Sequence, residues 1–413
     1  MKQNIKIPEG YKNSPLGIIP EEWEVKKIKQ IADYYSGGTP DIKNENYYIG
    51  DIPFIRSGEI HKESTVLFLS KEGLNKSSSK LVKIGDLLYS LYGANSGDCS
   101  ISKIKGAINQ AILCINSECV INVFLQSYLE LFKNKYISKY LQGGQGNLSG
   151  RIVGNYLIHI PPLPEQQKIA EILSTWDEAI EKQTQLINLL EKRKHGLMQQ
   201  LLTGKKRLKG FTDKWEKYTY NELLKEVKRK LIWNENELYK LISVKRRSEG
   251  LFQRESLYGR DIKTKKLRPA KTGDFLISKM QIVHGAAGLT TSKFDNMKIS
   301  NSYIALVAKD INMLDIKYFN LWSKTPKFYH QTFISSYGVH IEKMTFNFKF
   351  LLSLSLKIPN IDEQRAIVNI ITNAYNEINL AKQKLESFRQ QKKGLMQVLL
   401  TGKKRIKLEK NEN

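Results

Sequence analysis

Gly196-Leu197-Met198-Gln199-Gln200-Leu201-Leu202-Thr203-Gly204-Lys205-Lys206-Arg207 returns as Gly394 to Arg405 with a single change, Val398 standing where the first run has Gln200. Widened outward, Glu165 to Lys209 realigns without a gap on Glu363 to Lys407 at a shift of 198 residues. The chain therefore carries an internal duplication, and a repeat sets the architecture before any finer reading.

Each copy reads as one long helix. An acidic residue follows Pro or Asp at its start, and a glycine with basic residues behind it closes its end. In the first copy Ile169, Leu173, Trp176, Ile180, Gln183, Ile187, Leu190, Lys194, Leu197 and Leu201 alternate steps of four and three. The second copy repeats the pattern with Ile367, Ile371, Ala374, Ile378, Ala381, Leu385, Phe388, Lys392, Leu395 and Leu399. A mean step of 3.5 is the seam of a coiled coil, and a seam of this length needs a partner of equal length, which only the other copy supplies. Two amphipathic helices packed separately on their own domains give the same pattern.

The small residues Ala374 and Ala381 stand where the first copy has Trp176 and Gln183, so bulk in one helix can meet room in the other. Gly196 and Gly394 each cost a helix about 1 kcal/mol relative to alanine, and their duplication points to close backbone approach or to a kink. From Glu165 to Leu202 the helix spans roughly 57 Å at 1.5 Å per residue.

Around these helices, residues 1–162 and 209–358 mix short alternating strands with Gly, Asn and Ser turns, one compact domain each. The helical segments are 163–208 and 359–413. Trp23-Glu24 and Trp215-Glu216, Gly85-Asp86 and Gly273-Asp274, and Asn109 and Asn301 are the faint correspondences between the two globular parts. The expected fold is α+β: two globular domains joined by two long antiparallel coiled-coil helices in a pseudo-two-fold internal repeat. Alike connectors with diverged heads fit two sensors that share one docking task and recognise different targets.

Lys and Arg exceed Asp and Glu by 25 in 413 residues, the sign and size that draw a polyphosphate backbone, although a general Lys-rich bias also keeps a surface soluble. No apolar run approaches the roughly 20 residues needed to span a bilayer, and MKQNIKIPEGYK has no apolar signal core, so a membrane partner is not expected and the cytoplasm is. Cys99, Cys114 and Cys119 have neither disulfide-framework nor zinc spacing and are expected to be reduced. No metal ligands are expected either, because His61, His159, His195, His284, His330 and His340 are scattered.

Base readout needs Arg for guanine and Asn or Gln for adenine on loops that fit the major groove. The first head offers Ser36 and Thr39 in the Ser36-Gly37-Gly38-Thr39-Pro40 loop, Arg56 and Ser57 after a strand, and Gln145, Asn147 and Arg151 in a glycine-rich stretch. The second offers Arg246, Arg247, Arg254, Lys279, Gln281, His284, Ser336, Tyr337 and His340. An ordinary surface loop is the competing reading of each. Lysines such as Lys263, Lys265 and Lys266 suit phosphate or solvent, and Tyr89 and Tyr92 suit core equally well.

Catalysis leaves no trace in the sequence. The Pro161-Pro162 pair leads into a helix rather than a methyl-transfer loop, Pro40-Asp41 has no downstream Glu-x-Lys, and a phosphate-cradling Gly-x-x-x-x-Gly-Lys-Ser/Thr loop is absent.

The duplicated tails Leu201 to Arg207 and Leu399 to Arg405 carry a family resemblance. So do the helix starts Pro162-Leu163-Pro164-Glu165-Gln166 and Ile361-Asp362-Glu363-Gln364, and the segments Gly38-Thr39-Pro40 and Ile52-Pro53-Phe54-Ile55. In this order they resemble the specificity subunits of type I restriction-modification systems over nearly the whole chain. The resemblance implies two target-recognition domains, each reading half of a split asymmetric double-stranded DNA site, and a non-catalytic chain. It also implies two methylation subunits bringing S-adenosylmethionine, and restriction subunits using ATP and Mg²⁺. The second helix start lacks the prolines of the first, and the second head lacks the Gly-Gly-Thr-Pro loop, so its contact loops do not transfer residue by residue.

Overall fold

The computed structural model describes residues 7–140, 147–338, 340–341 and 344–406. The chain divides into two compact units, residues 1–184 with 383–413, and residues 185–382. These limits differ from the boundaries read in the sequence because each long helix, Leu163–Leu201 and Ile361–Leu399, gives one half to each unit. A half-helix belongs with the head whose core it enters.

The first head is built in layers. The strand Leu87–Ser90 is buried throughout, as its apolar run requires when both faces are covered. It lies in a sheet of order Asp33–Ser36, Ile112–Asn116, Leu87–Ser90, Cys99–Ile101. Leu87, Tyr89, Leu113 and Ile115 pack towards the helix Asn122–Tyr140, whose aromatics recur every fourth residue from Phe124 to Tyr136. Leu88, Ile112 and Cys114 point the other way, onto Ile55, Val82 and Ile108 of a second sheet. That sheet runs Leu67–Leu69, Ile52–Ile55, Gly106–Ile108, Lys80–Val82, its central pair parallel. A two-stranded ribbon, Glu24–Lys27 with Leu157–Ile160, leads into the first long helix.

The second head repeats this order strand for strand. Leu224–Glu226, Tyr303–Ala308, Phe275–Ser278 and Ala287–Leu289 form one sheet, and Leu251–Tyr258, Leu238–Val244, Lys298–Ser300 and Leu267–Pro269 the other. Leu238–Val244 and Lys298–Ser300 are again parallel. Glu216–Thr219 pairs with Ser355–Ile358 ahead of the second long helix. Gly85 and Gly273, with φ of 94° and 91°, make the same turn before the buried strand, and Asp86 and Asp274 each accept the N–H three residues back.

The two long helices run antiparallel within each unit. In the first, Trp176 packs edge to face on Phe388 and Lys392 reaches Asp177 at 2.6 Å. In the second, Arg193 pairs with Glu377, and Tyr375 meets the Met198 sulfur. The seam follows the 3.5 period: Ile169, Leu173, Ile187, Leu190, Leu201, Ile367, Ile371, Ile378, Leu385 and Leu399 are buried. Trp176, Ile180, Leu197, Phe388 and Leu395 are half-buried. At Trp176 bulk meets bulk, the Phe388 ring. An added Cβ at Gly196 or Gly394 meets nothing within 4 Å, so neither glycine marks the expected close backbone approach. Each long helix also passes through its glycine unbroken.

A shared clamp closes each unit. In the first, the Glu165 carboxylate is 1% exposed and accepts the Trp23 indole N–H at 3.0 Å and the Arg405 guanidinium at 2.8 and 2.9 Å. In the second, Glu363 is likewise 1% exposed and takes Trp215 at 3.2 Å and Arg207 at 2.8 and 2.7 Å. The next residue works in parallel: Gln166 spans Ile121, Cys119 and Pro161, while Gln364 spans Asp315, Met313 and Pro359. The arginine always arrives from the tail of the opposite helix, turned there by Gly204 or Gly402 at φ 70°.

Removing one partner of a buried ion pair leaves an uncompensated charge and costs about 3–5 kcal/mol. Arg207→Ala is therefore expected to lower the unfolding free energy of the second unit by that amount in denaturant titrations. Lys206→Ala next to it, exposed, is expected to shift it by under about 0.5 kcal/mol. Equal effects from the two would refute the clamp.

His159 sits buried on the ribbon, its Nδ1 3.1 Å from the Tyr128 hydroxyl, and burial lowers its pKa from 6.5 to about 4. Below pH 6.5 the unfolded chain takes up a proton that the folded one refuses until about pH 4. Stability of the first unit is thus expected to fall on acidification through that window, by up to about 1.4 kcal/mol per pH unit. His159→Gln should flatten the profile; an unchanged slope would count against the burial argument.

Candidate nucleic-acid interface

In the first head, hydrogen bonds tie the proposed contact loops to the end of one buried strand. Leu148 donates its N–H to Leu91 O at 2.8 Å, and Leu91 donates to Ala111 O at 2.8 Å. The Tyr92 hydroxyl donates to Gln110 O at 2.7 Å, the Thr39 hydroxyl donates to the Gln110 side-chain oxygen, and Ser90 Oγ donates to Ser57 O at 3.3 Å. Thr39, Ser57, Asn147 and Arg151 thereby gather around residues 90–92. Asn147 and Arg151 are exposed, Arg151 on the short helix Gly150–Gly154 capped by Ser149. Gln145 lies outside the described residues.

The Ser36 to Pro40 loop is held rather than free. An added Cβ would fall 1.8 Å from Ile108 O at Gly37 and 2.6 Å from Ser78 Cβ at Gly38, so only glycine lets the loop lie this close to the sheet. The Ser79 hydroxyl donates to Gly38 O and the Tyr48 hydroxyl to Pro40 O. Ser36 and Thr39 remain exposed on that rigid base. Arg56 spends one edge of its guanidinium on buried Glu59, at 3.0 and 3.2 Å, which orients the edge left over. Gln110 is exposed beside Thr39 and was missed in the sequence reading, since a lone Gln after a strand gives no signal. Tyr89 belongs to the core, and Tyr92 is half-buried against it with its hydroxyl bonded to Gln110 O.

In the second head the turn after Leu238–Val244 docks on the 281–285 segment: Arg247 N–H donates to His284 O at 2.7 Å and Ser248 N–H to Gly285 O at 2.9 Å. The turn holds Arg247 and Ser248 at positive φ, 57° and 55°. Ser248 Oγ meets the Tyr329 hydroxyl at 2.8 Å on the helix Pro326–Ile334, so Arg246, Arg247, Gln281 and His284 share one neighbourhood. Arg246, Arg247 and Lys279 are exposed, while Gln281 and His284 are half-buried. Arg254 lies on the hairpin strand and pairs with Glu255 at 2.8 Å. Tyr337 and His340 are exposed, but Ser336 is buried and donates its hydroxyl to Thr332 O at 2.8 Å. Ser336 therefore belongs to the packing under this loop, because a helix runs directly into it.

Among the described residues no group of His, Cys, Asp or Glu could hold a metal ion, and no helix is long and apolar enough to cross a membrane. Burial raises the Cys114 thiol to about 12 and Cys99 higher still, so neither is a thiolate, and all three cysteines are free.

Residues 20–192 match the family model for the Type I restriction modification DNA specificity domain. The chain is 26% identical to the type I restriction enzyme MjaX specificity subunit of Methanocaldococcus jannaschii, with 97% of each chain covered. It is 23% identical to the MjaVIII specificity subunit of the same organism over 94% of each. The S subunit of the type I restriction-modification system from M. genitalium shares the fold with a TM-score of 0.57 at 13% identity, covering 96% of this chain and 98% of that one. A chain from a structure of the assembly and conformational transition of a type I R-M system reaches 0.59 at 16% identity, covering 93% and 99%.

Gly285, at φ 73°, has the Tyr329 hydroxyl 2.0 Å from where a Cβ would stand. Gly285→Ala is expected to destabilise the second unit by about 1–3 kcal/mol and to speed tryptic cleavage at Arg246 and Arg247 as the docked turn loosens. Unchanged cleavage would mean that Gly285 does not anchor the turn.

Proposed function

We propose that this chain, which belongs to the specificity subunits of type I restriction-modification systems, binds a split, asymmetric double-stranded DNA sequence with one half read by each head. That family is the non-catalytic recognition component, so methyl transfer and cleavage fall to other subunits. The observation that carries the proposal is the pairing of one strand order with two unlike sets of loops. The scaffold repeats strand for strand and the clamp residue for residue, whereas the exposed Thr39, Arg56, Asn147 and Arg151 of one head have no sequence counterpart in the Arg246, Arg247, Lys279 and His284 surface of the other. Shared scaffolds with divergent loops are how one fold serves different targets.

In this reading two methylation subunits assemble with the chain and carry S-adenosylmethionine, and restriction subunits join with ATP and Mg²⁺; this chain has no cofactor of its own. Exposed lysines position the duplex through phosphates, while Arg, Asn, Gln and His on the loops discriminate bases.

The methylated motif in DNA from cells carrying this gene tests the proposal directly. Two unlike half-sequences separated by unspecified bases are expected, with the purified chain protecting both halves. Asn147→Ala with Arg151→Ala should relax preference in one half alone, by about 1–3 kcal/mol per lost base contact. A continuous motif, or loss spread evenly over both halves, would exclude this division of labour.

A further inference from the structure

A groove of about 800 Å³ opens on the second head, lined by Lys228, Arg229, Lys230, Lys266, Arg268 and Lys279 against the single carboxylate of Glu226. Some of these charges are already answered. Arg229 holds buried Asp274 through both terminal nitrogens, at 2.5 and 2.9 Å, and Lys228 lies 3.2 Å from Glu226. Lys230, Lys266 and Lys279 are exposed and meet no carboxylate among the described residues. Arg268 is 8% exposed; it donates to Tyr303 O and stands 3.8 Å from Glu226, while its Nε–H is buried with no acceptor.

The three unanswered ammoniums come from three separate segments. Lys230 follows the strand Leu224–Glu226, Lys266 precedes Leu267–Pro269, and Lys279 follows Phe275–Ser278. Cations spread over separate segments suit a row of phosphates better than one compact anion, and an ammonium on a flexible stem binds phosphate as a point charge without specifying a base. The groove also adjoins the loops expected to read bases. Lys279 opens the segment that ends at His284, and its N–H donates to Ser302 O beside the lining residue Asn301. Phe346, in the wall, pairs with Ser336 across the short ribbon that contains Tyr337 and whose two strands flank His340 in sequence. At the position of Arg268, the middle of its strand, the first head has Leu81.

We infer that this groove is a phosphate track belonging to the second head alone: it holds the DNA backbone beside that head's half-site and contributes affinity without sequence preference. The inference rests on the DNA-binding reading above. Its test is the salt dependence of binding by the full chain to a random-sequence duplex and to a duplex carrying the methylated motif. Each phosphate contact contributes about 0.9 to the slope of log affinity against log salt. Lys230→Gln and Lys266→Gln together are expected to reduce the slope by nearly two and to weaken both duplexes by the same factor. Lys317→Gln, exposed on the helix Ile316–Trp322, should leave the slope unchanged.

An unaltered slope in the double variant, or a loss confined to the motif duplex, overturns the track while leaving the chain's DNA binding standing. Displacement of the wild type from either duplex by micromolar inorganic phosphate or ATP would also overturn it, assigning the groove to a small anion. A wild-type chain that binds every duplex equally removes the reading underneath.

Discussion

A carboxylate almost wholly withdrawn from water needs hydrogen-bond donors to replace the lost hydration, and Glu165 and Glu363 each find theirs in one tryptophan and one arginine, both more than a hundred residues away along the chain. The indole N–H comes from the start of a head, and the guanidinium from the tail of the other long helix. Such a group cannot be satisfied until the head, its helix start and the opposing tail have met. The ion pair thus enforces the antiparallel arrangement that hydrophobic burial at the seam only favours, since leucines and isoleucines tolerate sliding and a two-point guanidinium contact does not. Polar seam residues add to this selectivity. Lys194 lies 4.7 Å from the Tyr375 ring, and Lys392 is buried between Asp177 and Glu130. Each lysine has a register in which its charge is answered.

Rigidity at the base of each head bears on the recognition proposed for it. Glycines at 37 and 38 press the Thr39 loop onto a strand edge, and backbone hydrogen bonds seat the Lys245 to Arg247 turn on the segment ending at Gly285. Side chains mounted on such supports lose little freedom when a target binds, which favours discrimination over adaptability. Arg56, oriented by Glu59, is the clearest instance: part of its hydrogen-bonding capacity is spent on holding the remainder still.

The sequence made the long helices legible because a 3.5-residue period and a duplicated tail are local signals. Their partnership followed from length alone. The clamp was not legible. Trp23 and Trp215 stood out only as markers near the start of each head, and the basic tails read as ordinary helix ends, because nothing in a linear pattern says that an arginine serves another helix. The common strand order of the heads was hidden for a similar reason. Their buried strands, LLYS and FLIS, satisfy the same layered environment with different apolar residues, so the fold persists where identity does not. Among the site candidates, exposure sorted Ser336 from Tyr337 one residue apart, a distinction set by the helix that precedes them. The basic groove escaped notice because its lysines and arginines are scattered over some fifty residues and are brought together by strand pairing alone.

The swap of tails between helices makes the two joints reciprocal. Each half of the chain owns one acceptor, a glutamate with its tryptophan, and one donor tail ending in arginine, but never a matched set on a single helix. Since the two tails are nearly identical in sequence, the two joints are built from interchangeable pieces. Either head can therefore change its surface loops without touching the residues that hold the helices together, because tryptophan, glutamate and arginine all lie outside those loops.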